Sequence, residues 1–309
     1  MTESQSEATA VPELDVSIIV CSKNRGAALR DFFEHLARAR VPADWQVELL
    51  IVDNGSSDDT KQVVSQAHMP NMQVRYVFEP HGGKSHALNT GVATCNSKVL
   101  LMTDDDVHVS ADWIENMCRP ILSGAADAVQ GGIRIAPHLD KAWLKGVLRY
   151  WVAAVDNPAW PPEGLVGANM ACSRLAFDVA GPCDPRLGPG AAGFFEDTAL
   201  GWALERAGYS KLFLPDVAVE HHFGSDRLSF EAFLSTARRM AASQVIVDRE
   251  RDPAAGPPSL IMLLKVLPGL GVRCLTQFLR LVINRQPDPG FMARYYRLRL
   301  WREQRKAAA

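Results

Sequence analysis

Between residues 15 and 103, short apolar segments alternate with longer segments of mixed polarity, and this alternation constrains the fold more than any other feature of the sequence. The apolar segments are rich in β-branched residues, which predicts strands at residues 16–21, 47–52, 74–78 and 99–103. The intervening segments predict helices at residues 26–39, 58–67 and 84–93. Such alternation is typical of βαβ units, so we expect an α/β fold with parallel strands.

The pattern becomes less regular after residue 111. The segment at 137–165 is rich in tryptophan and proline, which predicts an insertion that shapes a binding cleft. On either side of it we predict a helix ending at about residue 123, strands at 127–135, 166–173 and 211–219, and helices at 196–207 and 229–249.

The formal charge of −2 hides an uneven distribution. Residues 259–309 contain ten lysines or arginines and two acidic residues, a local charge of +8, so residues 1–258 carry −10. Phosphates would repel this acidic body, which argues against nucleic acid as a partner. The six cysteines include no CxxC pair, and the amino terminus lacks the layout of a secretory signal. We therefore expect reduced thiols and a cytoplasmic protein.

Three consecutive carboxylates, Asp104, Asp105 and Asp106, follow the predicted strand at 99–103. Like charges this close repel one another unless a cation or several hydrogen-bond donors compensate them. Open α/β sheets bind ligands at strand ends, and carboxylate oxygens suit Mg²⁺ or Mn²⁺ together with substrate phosphates. We therefore predict a site for a divalent metal and a diphosphate, with a solvated acidic turn as the alternative.

Asp53 follows the predicted strand at 47–52 in the same way. An acid at this place can accept hydrogen bonds from a ribose or from the edge of a base. A role as a turn or helix cap explains it equally well. The first strand is followed by residues 22–26 without a GxGxxG motif, so the sequence does not predict a dinucleotide-binding protein.

Glu196 and Asp197 follow the glycine-rich segment 188–193 at the predicted start of a helix. The helix dipole and the free backbone N–H groups keep carboxylates ionised at such a position. An ionised acid that faces a donor could accept the proton of an attacking hydroxyl, which is general-base catalysis. A helix cap with solvated acids is the alternative.

Several segments occur in an order that resembles the family 2 glycosyltransferases of the GT-A fold, over about residues 16–224. They are Ser-Lys-Asn-Arg at 22–25, Val-Asp-Asn-Gly-Ser-Ser-Asp-Asp-Thr at 52–60, Gly-Gly-Lys-Ser-His-Ala-Leu-Asn-Thr-Gly at 82–91, the aspartates at 104–106, Gly-Ala-Asn-Met-Ala at 167–171, Asp-Pro-Arg-Leu-Gly at 184–188 and Phe-Glu-Asp-Thr at 195–198. The first four are similar to the xYNR, VDDGSxDxT, GKxxALNxG and DxD motifs of that family. The last three are similar to the motifs of its acceptor half, which ends with an ED pair. Lys23 and Phe195 depart from the pattern, which commonly has an aromatic residue and a glycine there.

The resemblance implies a Rossmann-related mixed sheet flanked by helices, with a carboxy-terminal helical appendage. Residues 15–250 would form the catalytic domain, with a nucleotide-sugar half at 15–110 and an acceptor half at 111–250. A disordered leader would occupy 1–14, and a basic amphipathic tail 259–309. The implied activity is that of a hexosyltransferase, which moves a sugar, with inversion, from a nucleotide diphosphate sugar to an acceptor hydroxyl. UDP-sugars are favoured as donors, and the acceptor would be a glycan or lipid-linked precursor of cell-surface glycan or glycolipid.

The resemblance also implies roles for particular residues. Asp197 would be the catalytic base, with Glu196 beside it. Asp106 would bind Mn²⁺ or Mg²⁺ together with a histidine at the end of the strand at 211–219, where we favour His222 over His221. The donor would contact Ser22, Asn24, Arg25, Asp53, Lys84, Asp104 and Asp105.

Residues 259–283 are strongly apolar but are interrupted by charged residues, proline and glycine. A single membrane span needs about twenty consecutive apolar residues. We therefore predict short amphipathic helices at a membrane surface, peripheral on the inner face of the cell membrane. The arginines that would face the headgroups are Arg294, Arg297, Arg299, Arg302 and Arg305. The alternative is a helical pair packed on the catalytic domain.

Two functions are alternatives to that of a glycosyltransferase. A nucleotidyltransferase also uses paired acids and a metal, but a glycine-rich basic loop would be expected after the first strand, and residues 22–26 do not provide one. A catalytically silent membrane scaffold would not need Asp104, Asp106 and Asp197.

Overall fold

The computed structural model describes residues 13–251, 274, 277 and 286–308. Within them the strands are β1 (Leu14–Ser22), β2 (Val47–Asp53), β3 (Gln73–Phe78), β4 (Ser97–Thr103), β5 (Val107–His108), β6 (Ala128–Ile135), β7 (Asn169–Ser173) and β8 (Lys211–His221). The helices are α1 (Gly26–Leu36), α2 (Thr60–Gln66), α3 (Lys84–Thr94), α4 (Trp113–Leu122), α5 (Val147–Trp151), α6 (Arg174–Ala180), α7 (Glu196–Arg206), α8 (Phe230–Arg251) and α9 (Pro289–Ala308). A 3₁₀ turn, Ser225–Leu228, precedes α8.

The strands form one mixed sheet in the order β3-β2-β1-β4-β7-β6-β8-β5. The four strands β3, β2, β1 and β4 are parallel, and β7 runs antiparallel to its neighbours β4 and β6. The α/β fold and the mixed sheet predicted from the sequence are therefore confirmed. In the register of the sheet, Ser22 lies opposite Asp53, and Val20 lies opposite Thr103. The carboxyl ends of β1, β2 and β4 thus meet at one edge.

The central strands are buried on both faces. Ile18 and Ile19 are consecutive, yet they belong to two separate apolar clusters and are both fully buried. The helices α1 and α4 cover one face with Phe32 and Trp113, and α3 covers the other with Leu88. Burial on both faces explains why these strands are mostly apolar, and each buried isoleucine contributes roughly 1.5–3 kcal/mol.

The insertion at 137–165 belongs to a third apolar cluster, which joins it to the carboxy-terminal helices. Its short helix α5 contributes the buried side chains of Leu148 and Trp151. Phe233 of α8 packs against Trp151, with ring centroids 6.4 Å apart. The insertion therefore has an apolar core of its own beside the main sheet.

The described part of the predicted tail packs on this cluster. Met292 of α9 is fully buried, and the side chain of Arg238 in α8 donates to the hydroxyl of Tyr295 at 2.8 Å. For residues 289–308 the structure agrees with the packed alternative. The apolar segment 259–283 falls almost wholly outside the described residues. Among the described helices, none is both long and apolar enough to cross a membrane.

Sequence analysis missed three short elements, β5, α5 and α6, which contain two, five and seven residues. Segments of this length are too short to display a hydrophobic period. The strand predicted at 211–219 continues to His221, and the strand predicted at 166–173 begins only at Asn169. The extension of β8 matters for the site, because it carries a histidine to the aspartates.

Candidate active site

The three aspartates form a tight turn between β4 and β5. The two residues of β5 pair in antiparallel fashion with the end of β8, so that Val107 lies opposite His221. The backbone N–H of His222 donates to the carbonyl oxygen of Asp106 at 2.7 Å. This pairing of two segments that are distant in sequence brings a histidine to the carboxylates.

His221 and Asp106 form the buried part of the site. The Nε2 atom of His221 lies 3.3 Å from Oδ1 of Asp106, and its Nδ1 atom lies 3.2 Å from the carbonyl oxygen of Val152. The guanidinium of Arg25 donates to Oδ2 of Asp106 at 2.7 Å. Burial by itself raises the pKa of Asp106, but His221 and Arg25 outweigh it and hold that pKa well below its usual range.

Donor atoms of Asp104, Asp106 and His221 all lie within 4.8 Å of one another. The sequence predicts His222 for this place, whereas the structure brings His221 to Asp106. Side chains alternate across a strand, so His222 points away from Asp106, and its Nε2 atom lies 2.6 Å from Glu220. The sequence does not show which of the two histidines faces the aspartates, because this depends on which face of β8 lies toward them.

Asp105 is buried and orients the neighbouring donors. The hydroxyl of Ser22 donates to Oδ2 of Asp105 at 2.6 Å, and Nε of Arg25 lies 2.9 Å from Oδ1. Burial and the charge of Asp106 raise the pKa of Asp105 to about 7, although Arg25 opposes this. Asp105 thus holds Ser22 and Arg25 in place beside the other two aspartates.

Lys84, the first residue of α3, connects the aspartates to the acids of α7. Its Nζ atom lies 2.5 Å from Oδ1 of Asp104 and 3.8 Å from Oε1 of Glu196. Burial by itself lowers the pKa of Lys84, but the charges of Asp104 and Glu196 hold it well above its usual value. Lys84 is therefore a charged amine placed between two carboxyl groups.

Glu196 and Asp197 begin α7, as the sequence predicts. The backbone N–H groups of Gly167 and Thr198 each donate to Asp197 at 2.6 Å. Burial and the charge of Asp197 raise the pKa of Glu196 to about 8. Burial also raises the pKa of Asp197, although Lys84 and the two backbone donors oppose it. The two carboxyl groups therefore retain a proton at higher pH than ordinary carboxyl groups do. This corrects the expectation that the helix terminus keeps them ionised, because burial outweighs the dipole and the backbone donors.

Phe195 precedes this pair in a left-handed conformation, with φ of 77°. Such a backbone is uncommon for residues other than glycine and costs of order 1–3 kcal/mol. The family motif that residues 195–198 resemble often has glycine at this position. The strain therefore lies directly beside the acids of α7, and burial of the phenyl ring in the third apolar cluster helps to offset it.

A cavity of about 390 Å³ lies beside the three aspartates and Lys84 and has the size typical of ligand pockets. Glu196 and Asp197 are not among its lining residues. Its walls include Ser22, Arg25, Lys84, Asp104, Asp105 and Asp106, all of which were predicted from the sequence. Asn24 and Asp53 are not among its lining residues. Both oxygens of Asp53 already accept hydrogen bonds, at 2.8 Å from the backbone of Ser56 and at 2.8 Å from the hydroxyl of Tyr76. This placement matches the alternative of a turn cap for Asp53.

Sequence analysis did not single out three further parts of the cavity. Arg227, in the 3₁₀ turn after β8, lines it together with Arg25. Burial lowers the pKa of Arg227, although Asp106 opposes this. Asn54 accepts a hydrogen bond from the backbone of Gly83 at 2.7 Å. Gly190 closely approaches the same glycine, since a Cβ atom on Gly190 would lie 2.8 Å from Cα of Gly83. The glycine-rich segment 188–193 was the signal that could have identified the last contact.

A sequence model of the family described as Glycosyl transferase family 2 matches residues 17–177, which is just over half of the chain. The chain belongs to glycosyl transferase family 2. The matched segment of this family 2 glycosyltransferase runs from β1 into α6 and includes Lys84 and the three aspartates. It ends before Glu196, so the assignment of the acids in α7 depends on the geometry.

Among similar proteins, the chain is 28% identical over 143 residues to beta-monoglucosyldiacylglycerol synthase of Synechocystis sp., an alignment that covers 45% of this chain and 30% of that protein. It is 26% identical over 223 residues to the pre-mycofactocin glycosyltransferase of Mycobacterium tuberculosis, with 67% and 42% covered. The chain thus spans less than half the length of these two curated relatives.

The fold is similar to that of the mannosyltransferase PcManGT from Pyrobaculum calidifontis, solved in complex with GDP-Man and Mn²⁺. The TM-score is 0.65 at 18% identity, with 96% of this chain and 89% of that chain covered. GalNAc-T7, solved with UDP, GalNAc and Mn²⁺, gives a TM-score of 0.51 at 18% identity, with 74% and 48% covered. At these identities the likeness establishes the GT-A-like fold.

Proposed function

We propose that this protein is a nucleotide-sugar-dependent glycosyltransferase that transfers a sugar to an acceptor hydroxyl with inversion. The observation that carries this proposal is the arrangement of one cavity. A possible metal triad, Asp104, Asp106 and His221, lies beside Lys84, which in turn reaches the acidic pair of α7. The cavity supplies the charge compensation that a nucleotide diphosphate sugar needs. Lys84 connects it to the acids of α7, which supply a base for the acceptor hydroxyl.

The donor set of the triad fits a divalent ion. Two carboxylates and one imidazole suit Mn²⁺ better than Mg²⁺, because imidazole is a weaker partner for magnesium. A bound ion would supply positive charge to the diphosphate and stabilise it as a leaving group. Mn²⁺ is present in the solved structures of the two fold relatives named above. We therefore propose Asp104, Asp106 and His221 as the ligands, with His221 in place of His222.

The protein's own cations complete the diphosphate site. Arg25, Lys84 and Arg227 all line the cavity that contains the aspartates. Arginine binds phosphate oxygens in a fork, and a buried lysine binds them as a point charge. These three groups can hold the diphosphate of the donor and accept the charge that develops when the bond between sugar and diphosphate breaks. A UDP-sugar is the proposed donor.

Asp197 is the proposed base. Its two backbone hydrogen bonds fix the carboxylate, which can take the proton of the acceptor hydroxyl while that oxygen attacks the anomeric carbon. The new bond forms as the bond to the diphosphate breaks, so one displacement inverts the anomeric carbon and leaves a nucleoside diphosphate. In this proposal, Glu196 and Asp197 share one bound proton.

A second cavity, of about 420 Å³, lies next to the acidic pair and is the proposed acceptor site. Phe195 and Thr198, which flank that pair, line it together with Tyr150 and Trp160. The ring of Trp160 is 78% exposed, although an indole gains from burial, so a ligand that covers it would be stabilised. Tyr296 of α9 also lines this cavity, which gives the carboxy-terminal appendage a part in acceptor binding.

A glycan or lipid-linked acceptor is proposed for this cavity, because the Synechocystis relative described above is named as a glycolipid synthase. Contact with the inner face of the membrane would then bring the enzyme to its acceptor. Arg297, Arg302 and Arg305 of α9 are exposed, and remain available to anionic headgroups. Arg294 and Arg299 are partly buried.

The test is nucleoside diphosphate release from a panel of UDP-, GDP- and dTDP-sugars, with Mn²⁺, with Mg²⁺ or with a chelator. The wild type should release nucleoside diphosphate only with metal, and Asp106→Ala should abolish release. Asp44→Ala is a matched control, since Asp44 is exposed in the loop before β2, away from the carboxyl edge of the sheet. Equal rates with and without metal, or release of pyrophosphate, would contradict the proposal.

Two further variants separate the roles within the site. Asp197→Asn should keep donor binding, measured as thermal stabilisation by the nucleotide sugar, and lose transfer by roughly 10²- to 10⁴-fold. Trp160→Ala should reduce transfer to the acceptor and leave donor hydrolysis unchanged, because its ring lies only in the second cavity. Loss of donor binding in either variant would speak against this division of the site.

A further inference from the structure

A histidine-rich group of side chains lies on the outer side of the β5–β8 pair, away from the proposed catalytic triad. Four of the eight histidines of the chain belong to it, together with two acids. We call this the histidine cluster; its members are Asp31, His35, His108, His138, Glu220 and His222. The proposed catalytic chemistry uses none of them.

The rings of the histidine cluster are stacked. The centroids of His35 and His108 are 3.3 Å apart with planes 8° from parallel, and those of His108 and His222 are 3.6 Å apart. His138 lies at the edge of the stack, 5.5 Å from His222. The stack therefore gathers ring nitrogens from α1, β5 and the end of β8 into a small volume.

Two carboxylates contact ring nitrogens of this stack. Oδ2 of Asp31 lies 2.6 Å from Nε2 of His108, and Oε1 of Glu220 lies 2.6 Å from Nε2 of His222. Ligand atoms of Asp31, His35 and His108 all lie within 4.8 Å of one another, and so do those of His108, Glu220 and His222. The two groups share His108, which makes its ring the centre of the cluster.

The chemistry of this donor set differs from that of the catalytic triad. Protonated imidazoles at such spacings would repel one another, whereas neutral imidazoles present lone pairs to a cation. Two imidazole nitrogens with one carboxylate are a known ligand set for Zn²⁺, with water in the fourth position, and a poor set for Mg²⁺. The nitrogen content thus predicts selectivity for late first-row metals over magnesium.

The two sites are separate because of strand alternation. His221 faces Asp106 on one side of the β5–β8 pair, while the next residue, His222, faces His108 on the other side. We propose that the histidine cluster binds a Zn²⁺ ion through His108 and one of its two neighbouring pairs, Asp31 with His35 or Glu220 with His222. The ion would join β5 to α1 or to the end of β8. This proposal does not depend on the proposed glycosyltransferase activity.

The experiment is equilibrium dialysis of the full chain with micromolar Zn²⁺ in millimolar Mg²⁺, followed by metal analysis. The excess of Mg²⁺ occupies oxygen-rich sites, so the wild type should retain one Zn²⁺ per chain and unfold at a higher temperature with Zn²⁺. His35→Gln with His222→Gln should weaken Zn²⁺ binding more than tenfold and remove this thermal shift. His68→Gln is the matched control, since His68 is exposed and lies outside the cluster.

Asp106→Asn distinguishes the two sites, because it damages the catalytic triad and should leave Zn²⁺ retention unchanged. Should the double variant fail to fold, Asp31→Asn with Glu220→Gln tests the same cluster, as those carboxylates are 52% and 41% exposed and tolerate substitution. Zn²⁺ retention that persists in the cluster variants, or that is lost only in Asp106→Asn, would overturn the proposal. Absence of Zn²⁺ from a folded wild type would do the same.

Discussion

Replacing Lys84 by methionine keeps the unbranched apolar stem of the side chain and removes its charge from between two carboxyl groups. The Nζ atom lies 2.5 Å from Asp104 and 3.8 Å from Glu196, and the three side chains are 18%, 27% and 5% exposed. At an effective dielectric constant of about 20, a unit pair 3.8 Å apart interacts by about 4 kcal/mol. Removing one member of a buried pair typically costs about 3–5 kcal/mol, because the other charge is left uncompensated.

The cost should depend on pH, since the carboxyl groups can take up protons once Lys84 is absent. Above pH 8, where Glu196 of the wild type is ionised, Lys84→Met should lose about 3–5 kcal/mol of unfolding free energy, or roughly 5–10 °C in Tm. Near pH 6 the loss should be smaller, because protonation of Glu196 removes the repulsion. Thermal unfolding at both pH values measures this difference.

Lys98→Met is the matched control. The Nζ atom of Lys98 lies 2.9 Å from Asp15, a spacing close to that of the Lys84 pair, but its side chain is 51% exposed. Water already screens this pair, so the control should change Tm little at either pH. The reasoning would be refuted if both variants lost the same stability, or if the loss in Lys84→Met did not change with pH.

Two further predictions concern the acids of α7 and the glycine-rich segment. Because burial raises the pKa values of Glu196 and Asp197, transfer rates should rise with pH from the ordinary carboxyl range up to about pH 8. Stability should change in the opposite direction over that window, because the folded state binds more protons than the unfolded state. A pH–rate profile that is flat across it would contradict this. Gly190→Ala and Gly181→Ala should each cost about 1–3 kcal/mol, since both glycines have positive φ, of 93° and 89°. Only Gly190→Ala should also raise the KM for the donor, because its Cβ would press on Gly83, whereas a Cβ on Gly181 meets no atom within 4 Å.

The sequence by itself determined the central sheet and most of the cavity. Strands buried on both faces are mostly apolar, so β1, β2 and β4 were visible as short apolar segments. Polar residues directly after such strands must lie at the carboxyl edge of the sheet, which located the three aspartates. The acids of α7 were visible because a glycine-rich segment precedes them. These features depend on residues close together in the chain.

Only the tertiary structure decided the features that depend on pairing between distant segments. The choice of His221 over His222 follows from the register of β5 against β8, and a shift of one residue would exchange the two histidines. Arg227 lines the cavity because the 3₁₀ turn after β8 returns to the aspartates. Asp53 is engaged by a tyrosine from the neighbouring strand β3, and α9 packs on α8. The local sequence shows which residues a segment contains. The pairing of distant segments decides which of those residues come into contact.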